Sequence, residues 1–354
     1  MDFKKRVIDG HYHIYNWYNE ENRDFFSVTE EYIKEANFRT ININALPSVE
    51  QDVSNNIIAA LFKLKHPESF AHGGLVYDSC PVTTVPEGMD SATQYRELME
   101  IGFDGIKMLE TKPTLAKALG IMPDNEFYEG LFENAEKNGT HIVWHVADTF
   151  KYWDPEKAPR SAIENGWYYG DGTYPTYEEI FRSVYRVLER HPQLKVTFAH
   201  FFFLSKHPQY LVELFERFPN VNIDLTPGTE MYESFGERRA FYRDFFTRYA
   251  DRIGYGTDCC EDGILENKMR HSGIIYRFLT TDDEFDVWDC KFKGLKLDSA
   301  AQDKILCDNF IRRVSVKPKP INKPALVKYF EKYRRLIENE KIIQNIEDEL
   351  NKLP

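Results

Sequence analysis

The chain has 354 residues, 42% hydrophobic and 15% aromatic, enough to bury a large core as two ordinary domains or as one big α/β barrel. A formal net charge of −12 excludes the basic footprint of a nucleic-acid binder or of a protein held on an anionic membrane surface. No run approaches the ~18 apolar residues of a membrane span, and MDFKKRVIDG carries no signal-peptide core, so the expected address is cytoplasmic.

In chain order, eight short β-rich runs alternate with helical stretches, the pattern of repeated βα units around a parallel sheet. The runs are Arg6–His13, Thr40–Leu46, Phe70–Asp78, Gly105–Leu109, His141–Ala147, Lys195–Phe201, Val221–Leu225 and Arg252–Thr257. Between them the expected helices are Thr29–Asn37, Ser48–Leu64, Ser91–Gly102, Asn125–Asn138, Tyr177–Arg190, His207–Arg217 and Glu237–Tyr249. Several close on a Gly or Pro stop signal, as in EKNGT, RHPQL and RFPNV. Eight such units fill a (β/α)8 barrel of roughly 250 residues. Three further helices are expected after it, at Ile264–Leu279, Ala300–Val314 and Pro324–Leu353.

Residues 1–354 therefore read as a single barrel domain, with 298–354 as a helical extension packed on it. The last helix is charge-rich with apolar residues at helical spacing, which suits the barrel exterior or a neighbouring copy, so a homo-oligomer stays open. The longest insertion, Asp148–Pro175, follows the fifth run and belongs over the barrel mouth. The five cysteines are scattered and lack CxxC spacing, which reads as reduced thiols and not as a disulfide frame or a soft zinc site.

The chemistry gathers at the ends of the runs. Asp9, His11 and His13 alternate along the first run, so their side chains leave one face of the strand, the inward face of a barrel. His145 ends HIVWH, His200 ends KVTFAH and Asp258 follows IGYGT, each at the carboxyl end of its own strand, where barrel enzymes build their sites. Imidazole and carboxylate together suit zinc and its first-row relatives. Asp9 is read either as a partner that fixes an imidazole or as a hydrogen bond in the barrel floor. His141 is read as structural, and His66, His72, His191 and His207 as capping or surface residues.

An HxH pair after the first strand, His after the fifth and sixth, and Asp after the eighth resemble the amidohydrolase superfamily. The likeness is to its amidohydrolase-related, aminocarboxymuconate semialdehyde decarboxylase-like branch and runs from VIDGHYH to AQDKILCDNFIRRV, the latter similar to the family's closing helix with its Asn, here Asn309. The resemblance implies a divalent cation, zinc first and manganese second, held by His11, His13, His145 and Asp258. It implies Asp258 as general acid/base and His200 as the group that orients substrate or water, or as a ligand to another metal. Lys107, on the fourth run, could bridge a second ion when carboxylated; the alternatives are an ammonium paired with Asp104 or Glu110, or one facing a substrate anion.

Loops after the strands carry Trp17, Arg23, Trp153, Arg160, Lys206, Arg238 and Arg239, a mixture suited to a carboxylate-bearing small molecule. Trp17, Trp153, Arg160, Lys206 and Arg239 are the candidates for substrate contact. The leading expectation is a metal-dependent hydrolase of an amide, ester or lactone of a small organic acid, acting through activated water. The alternative is a nonoxidative decarboxylase or hydratase of an aromatic or enolic acid, and the third is a noncatalytic ligand-binding barrel.

Overall fold

The computed structural model describes residues 5–47, 52–228, 230–288 and 290–352. Eight parallel strands run in the order β1 to β8: β1 (Ile8–Ile14), β2 (Thr40–Ala45), β3 (Phe70–Gly73), β4 (Gly105–Thr111), β5 (His141–Val146), β6 (Lys195–Phe198), β7 (Val221–Asp224) and β8 (Ile253–Gly254). The seam between the ends of the sheet is closed by backbone hydrogen bonds. Gly10 N–H donates to Tyr255 O (3.1 Å), Asp258 N–H to His11 O (2.8 Å) and His13 N–H to Cys259 O (2.7 Å). The result is a TIM barrel with interleaved helices and additional C-terminal ones.

The helices begin and end where side-chain chemistry dictates. Asp24, Asp90 and Asn125 accept from first-turn amides, and Thr176 with Glu179 forms a reciprocal capping box ahead of the helix Tyr177–Arg190. Of the expected helix Ser48–Leu64, the structure has Asn55–Lys65; residues 48–51, like Leu353, lie outside the described residues. Glu237–Tyr249 is present as Arg239–Arg248, and a separate helix not expected, Met231–Glu237, meets it at Arg238. Ala300–Val314 is interrupted by a wider turn at Lys304–Asp308, which frees Ile305 O to accept from Tyr255 N–H (3.0 Å) beside β8. Pro324–Leu353 divides into Lys323–Tyr333 and Glu340–Lys352, and an antiparallel hairpin, β9 (Glu284–Val287) with β10 (Cys290–Lys293), follows the helix Leu265–Thr280. The C-terminal helices pack on the chain's own barrel, with Lys332 on Glu97 (2.6 Å), Lys65 on Glu349 (2.7 Å) and Asn56 donating to Tyr329 Oη (2.8 Å).

β6 stops at Phe198, short of the expected Phe201, because the backbone reverses its hand. His200, Phe201, Phe202 and Phe203 have φ of 55°, 57°, 57° and 51°, a left-handed turn built from four consecutive non-glycine residues. Left-handed backbone costs about 1–2 kcal/mol per residue, and burial of a phenylalanine returns about 1.5–3 kcal/mol. All four side chains are buried: Phe201 lies among Phe235, Tyr242, Phe245 and Phe246, and Phe202 stacks on Phe198 at 4.0 Å. Packing thus offsets the strain.

Below the rim, the barrel interior is polar. His72, expected near the surface, is fully buried: Nδ1–H donates to Asn42 Oδ1 (2.7 Å), Nε2 accepts from His141 Nδ1–H (2.9 Å), and His141 Nε2 accepts from Thr197 Oγ1–H (2.8 Å). Gly105 makes room for the pair, since a Cβ there would lie 2.3 Å from His72 Nε2 and 2.4 Å from His141 O. Asp9 resolves as the floor hydrogen bond, accepting from His11 N–H (3.1 Å), Thr257 N–H (3.1 Å) and Thr257 Oγ1–H (2.6 Å), so it ties β1 to the β8 end.

Two outcomes follow. Asn309, buried beyond the wide turn, donates from Nδ2 to Ala250 O (2.6 Å) and Ile253 O (2.7 Å); Asn309→Ala should lower the apparent unfolding free energy in urea by about 2–3 kcal/mol, by leaving both carbonyls unpaired, and an unchanged midpoint would contradict this. Burial pushes His141 down to about 3 from an ordinary 6.5, so its stabilising contribution is complete above pH 6.5 and is lost as pH falls toward 3. A His141→Gln variant should therefore lose about 2 kcal/mol less than wild type between pH 7 and pH 5, read as the shift of the urea midpoint; parallel losses would refute the assignment.

Candidate metal centre and active site

The floor of the mouth is set by β1. His11 Nδ1–H donates to the buried carboxylate of Asp224 at the end of β7 (2.7 Å), with Thr226 Oγ1 also at 3.1 Å. His13 Nδ1–H donates to Asn44 O on β2 (2.9 Å). Both tautomers are thereby fixed, and both Nε2 lone pairs turn inward, 3.0 Å apart. Asp258 Oδ1 completes the cluster at 3.1 Å from His13 Nε2 and 3.7 Å from His11 Nε2. Gly256 permits the approach, because a Cβ there would lie 2.7 Å from both His11 Cβ and Thr226 Oγ1.

Three electron-rich atoms facing one point repel unless a cation sits among them. Ligands on a tetrahedron with bonds of about 2.0–2.1 Å lie about 3.3 Å apart, within the spread of these separations. The residues therefore fit a divalent metal, with His11, His13 and Asp258 as the donor set. Lys107, buried on β4, donates from Nζ to His11 Nε2 (2.9 Å), and burial pushes its ammonium down to about 8. The alternatives of pairing with Asp104 or Glu110 are not realised: Asp104 is engaged by Lys63 (2.5 Å) and Glu110 accepts from Tyr77 Oη (2.9 Å).

His145 and His200 form a second imidazole pair in the same cavity. His145 Nε2–H donates to Ala147 O (2.8 Å), leaving Nδ1 to accept from His200 Nε2–H (3.1 Å). His200 Nδ1 is then a buried acceptor without a partner. Its ring lies 6.0 Å from that of His11, and burial pushes it down to about 4, so it is neutral near pH 7. His145 is likewise shifted down by burial. It stands outside the three-residue cluster and reaches it through His200.

These side chains open into a cavity of about 520 Å3, lined also by Tyr15, Leu46, Lys112, Asp148, Tyr152, Trp167, Phe203 and Gly228. None of the five expected substrate contacts lines it. Trp17 is buried in the core against Phe26, and Trp153 donates its indole N–H to Pro175 O (3.0 Å). Arg160 faces solvent with Glu164 (2.7 Å), Lys206 lies 3.4 Å from Glu233, and Arg239 donates to Gly294 O. Each found an intramolecular partner that loop position alone does not reveal. Sequence reading also missed Asp224, although a carboxylate ending the seventh run occupies the same rim position as the residues it did select. Asn44 acts through its backbone carbonyl, which no side-chain motif can signal.

A family model described as amidohydrolase matches residues 76–312. No curated protein matches the sequence significantly. Among solved structures, 2,6-dihydroxybenzoate decarboxylase from Rhizobium aligns with TM-score 0.52 at 15% identity, covering 88% of this chain and 98% of its own. A dihydroxybenzoic acid decarboxylase from Polaromonas, with bound manganese and 2-nitroresorcinol, aligns at 0.53 and 14%, covering 88% and 97%. A probable 2-pyrone-4,6-dicarboxylic acid hydrolase from Acinetobacter baumannii, with citric acid bound, aligns at 0.50 and 12%, covering 87% and 99%. At these identities the likeness is one of fold, whereas the family match spans well over half of the sequence: the chain belongs to the amidohydrolase family.

Proposed function

We propose that this chain is a metal-dependent nonoxidative decarboxylase of an aromatic or enolic carboxylic acid. The observation that carries the reading is the pair of opposed Nε2 lone pairs beside Asp258, at the bottom of a cavity with Tyr15, Leu46, Tyr152 and Phe203 on its walls. The decarboxylases among the structural neighbours support this alternative more than the hydrolase expected first. His11, His13 and Asp258 would hold the cation, with His145 our candidate for a fourth ligand and zinc or manganese the candidate ion. When bound, such an ion supplies Lewis acidity toward a substrate oxygen.

The chain's own residues account for the rest. Loss of carbon dioxide leaves an electron pair on carbon, and one proton must reach that carbon to form the C–H bond. Asp258, whose side chain is 36% exposed toward the cavity while its neighbours are buried, is the group placed to relay that proton from solvent to the carbon. His200 offers the unpartnered Nδ1 as an acceptor for a substrate hydroxyl, and Phe203, ring centroid 5.1 Å from His200, gives the substrate an apolar face. Lys107 supplies positive charge for the departing carboxylate.

The hydrolase reading retains the support of the pyrone hydrolase neighbour, and the two part in what they release. Zinc- or manganese-reconstituted protein, offered a panel of hydroxybenzoic and enolic acids in D2O, should evolve one carbon dioxide per product and place one deuterium on the vacated carbon. Solvent oxygen entering a product acid without carbon dioxide would instead establish hydrolysis. Removing the metal with a chelator should abolish turnover and readdition should restore it. Asp258→Asn and His200→Asn should each lower kcat by about 100-fold or more, and wild-type turnover in either would remove that residue from the mechanism. Asp224→Asn, which weakens the acceptor for His11 Nδ1–H, should reduce metal affinity about 10–100-fold in chelator competition; unchanged affinity would mean that Asp224 does not tune the ligand.

A further inference from the structure

The cavity contains a second, separate cation. Lys112 follows β4 and lines the same space as Lys107, but its ammonium makes no hydrogen bond or ion pair among the described residues. Its Nζ lies over the indole of Trp167, 5.1 Å from the ring centroid. Asp148 feels the Lys112 charge, which helps hold its carboxyl below the usual carboxylate range, but makes neither a hydrogen bond nor an ion pair with it. Asp148 accepts from Tyr169 Oη (2.7 Å) and lies 3.7 Å from His145 Nε2, and Asp258 belongs to the metal cluster. Other lysines at the mouth have found acids, Lys151 and Lys206 sharing Glu233 at 3.6 and 3.4 Å. In a chain of net charge −12, an ammonium that faces a binding cavity with no acid in direct contact leaves its hydrogen-bond donors open to an anion.

The surroundings hold it there. Trp167 stacks on Tyr152 (6.4 Å, 22° between planes), and its loop is fastened by Tyr169 to Asp148 and by Lys117 Nζ to Thr173 Oγ1 (2.6 Å). The indole face attracts the ammonium, which remains free to donate hydrogen bonds outward. The opposite requirement is met at the cavity floor, where Lys107 and the cation site take the first anionic group. The same cavity is lined by Leu46, Leu109, Tyr15 and Phe203, walls suited to a flat apolar body.

We infer that Lys112 on its Trp167 platform is a subsite for a second anionic group, so that the substrate is a planar acid carrying two anionic substituents. This rests on the decarboxylase reading for the fate of the first carboxylate, but recognition of the second is independent of turnover. The probes are benzoate and isophthalate, identical rings with one and two carboxylates, titrated calorimetrically into metal-loaded protein. Isophthalate should bind at least about fivefold more tightly than benzoate, the worth of one charge-assisted contact at a partly exposed site. Lys112→Met should abolish that preference and leave benzoate affinity unchanged, and Lys112→Arg should keep it; thermal melts establish that both variants are folded. A smaller wild-type preference, a preference that survives Lys112→Met, or no binding of either acid overturns the inference. A protein that passes this test and evolves no carbon dioxide refutes the decarboxylase reading alone, and one that decarboxylates mono-acids without preferring di-acids refutes the subsite alone.

Discussion

Everything at this barrel's mouth depends on two ring nitrogens being forced to face each other. Left alone, the imidazoles of His11 and His13 would turn until one donated to the other. They do not, because each Nδ1–H is already taken, by Asp224 and by Asn44 O. The inward lone pairs, 3.0 Å apart beside a carboxylate, are an electrostatic debt that Lys107, donating to His11 Nε2 alone, meets in part and that a bound cation cancels. The outer acceptors lie on β7 and β2, so the site exists only once strands distant in sequence have been aligned by barrel closure.

Closure itself depends on small polar features. Asp9 bridges to Thr257, the wide turn at Lys304–Asp308 lets Ile305 O reach Tyr255, and Asn309 gathers two carbonyls at the entrance to β8. β8 is the shortest strand, and these contacts supply the order that its ladder cannot. The interior beneath the cluster of His11, His13 and Asp258 continues the theme. A chain of hydrogen bonds from Asn42 through His72 and His141 to Thr197 occupies space that branched aliphatic side chains commonly fill in such barrels. Every ring nitrogen in that chain has a partner, the condition under which a buried polar network rigidifies a core instead of weakening it.

Much of this was legible in the residues themselves. Period-two placement of His11 and His13, and the coincidence of His145, His200 and Asp258 with strand ends, locate the mouth and its cluster, because alternation and strand direction are local properties. The eight-strand frame is equally local, since each run announces itself by composition and several by the Gly or Pro that precedes them. What escaped depends on tertiary partners. The turn at His200–Phe203 reads as continued strand, as its aromatic residues favour one, and only packing from residues 181–246 explains its reversed hand. Trp17, Trp153, Arg160, Lys206 and Arg239 have the chemistry of a binding site but turn to partners of their own, while Lys112, unremarkable in sequence, is left facing the cavity.

The reversed turn has a consequence for how this enzyme's activity can drift. His200 is aimed by a backbone conformation that its own residue type disfavours, and the buried Phe201 and Phe202 hold that conformation from behind. Side chains that never meet a ligand, such as Phe235 and Phe246, are therefore levers on the orientation of an imidazole one layer away. Selection could adjust the pose of His200 in small increments by exchanging aromatic bulk behind it, and the ligand set itself would stay untouched.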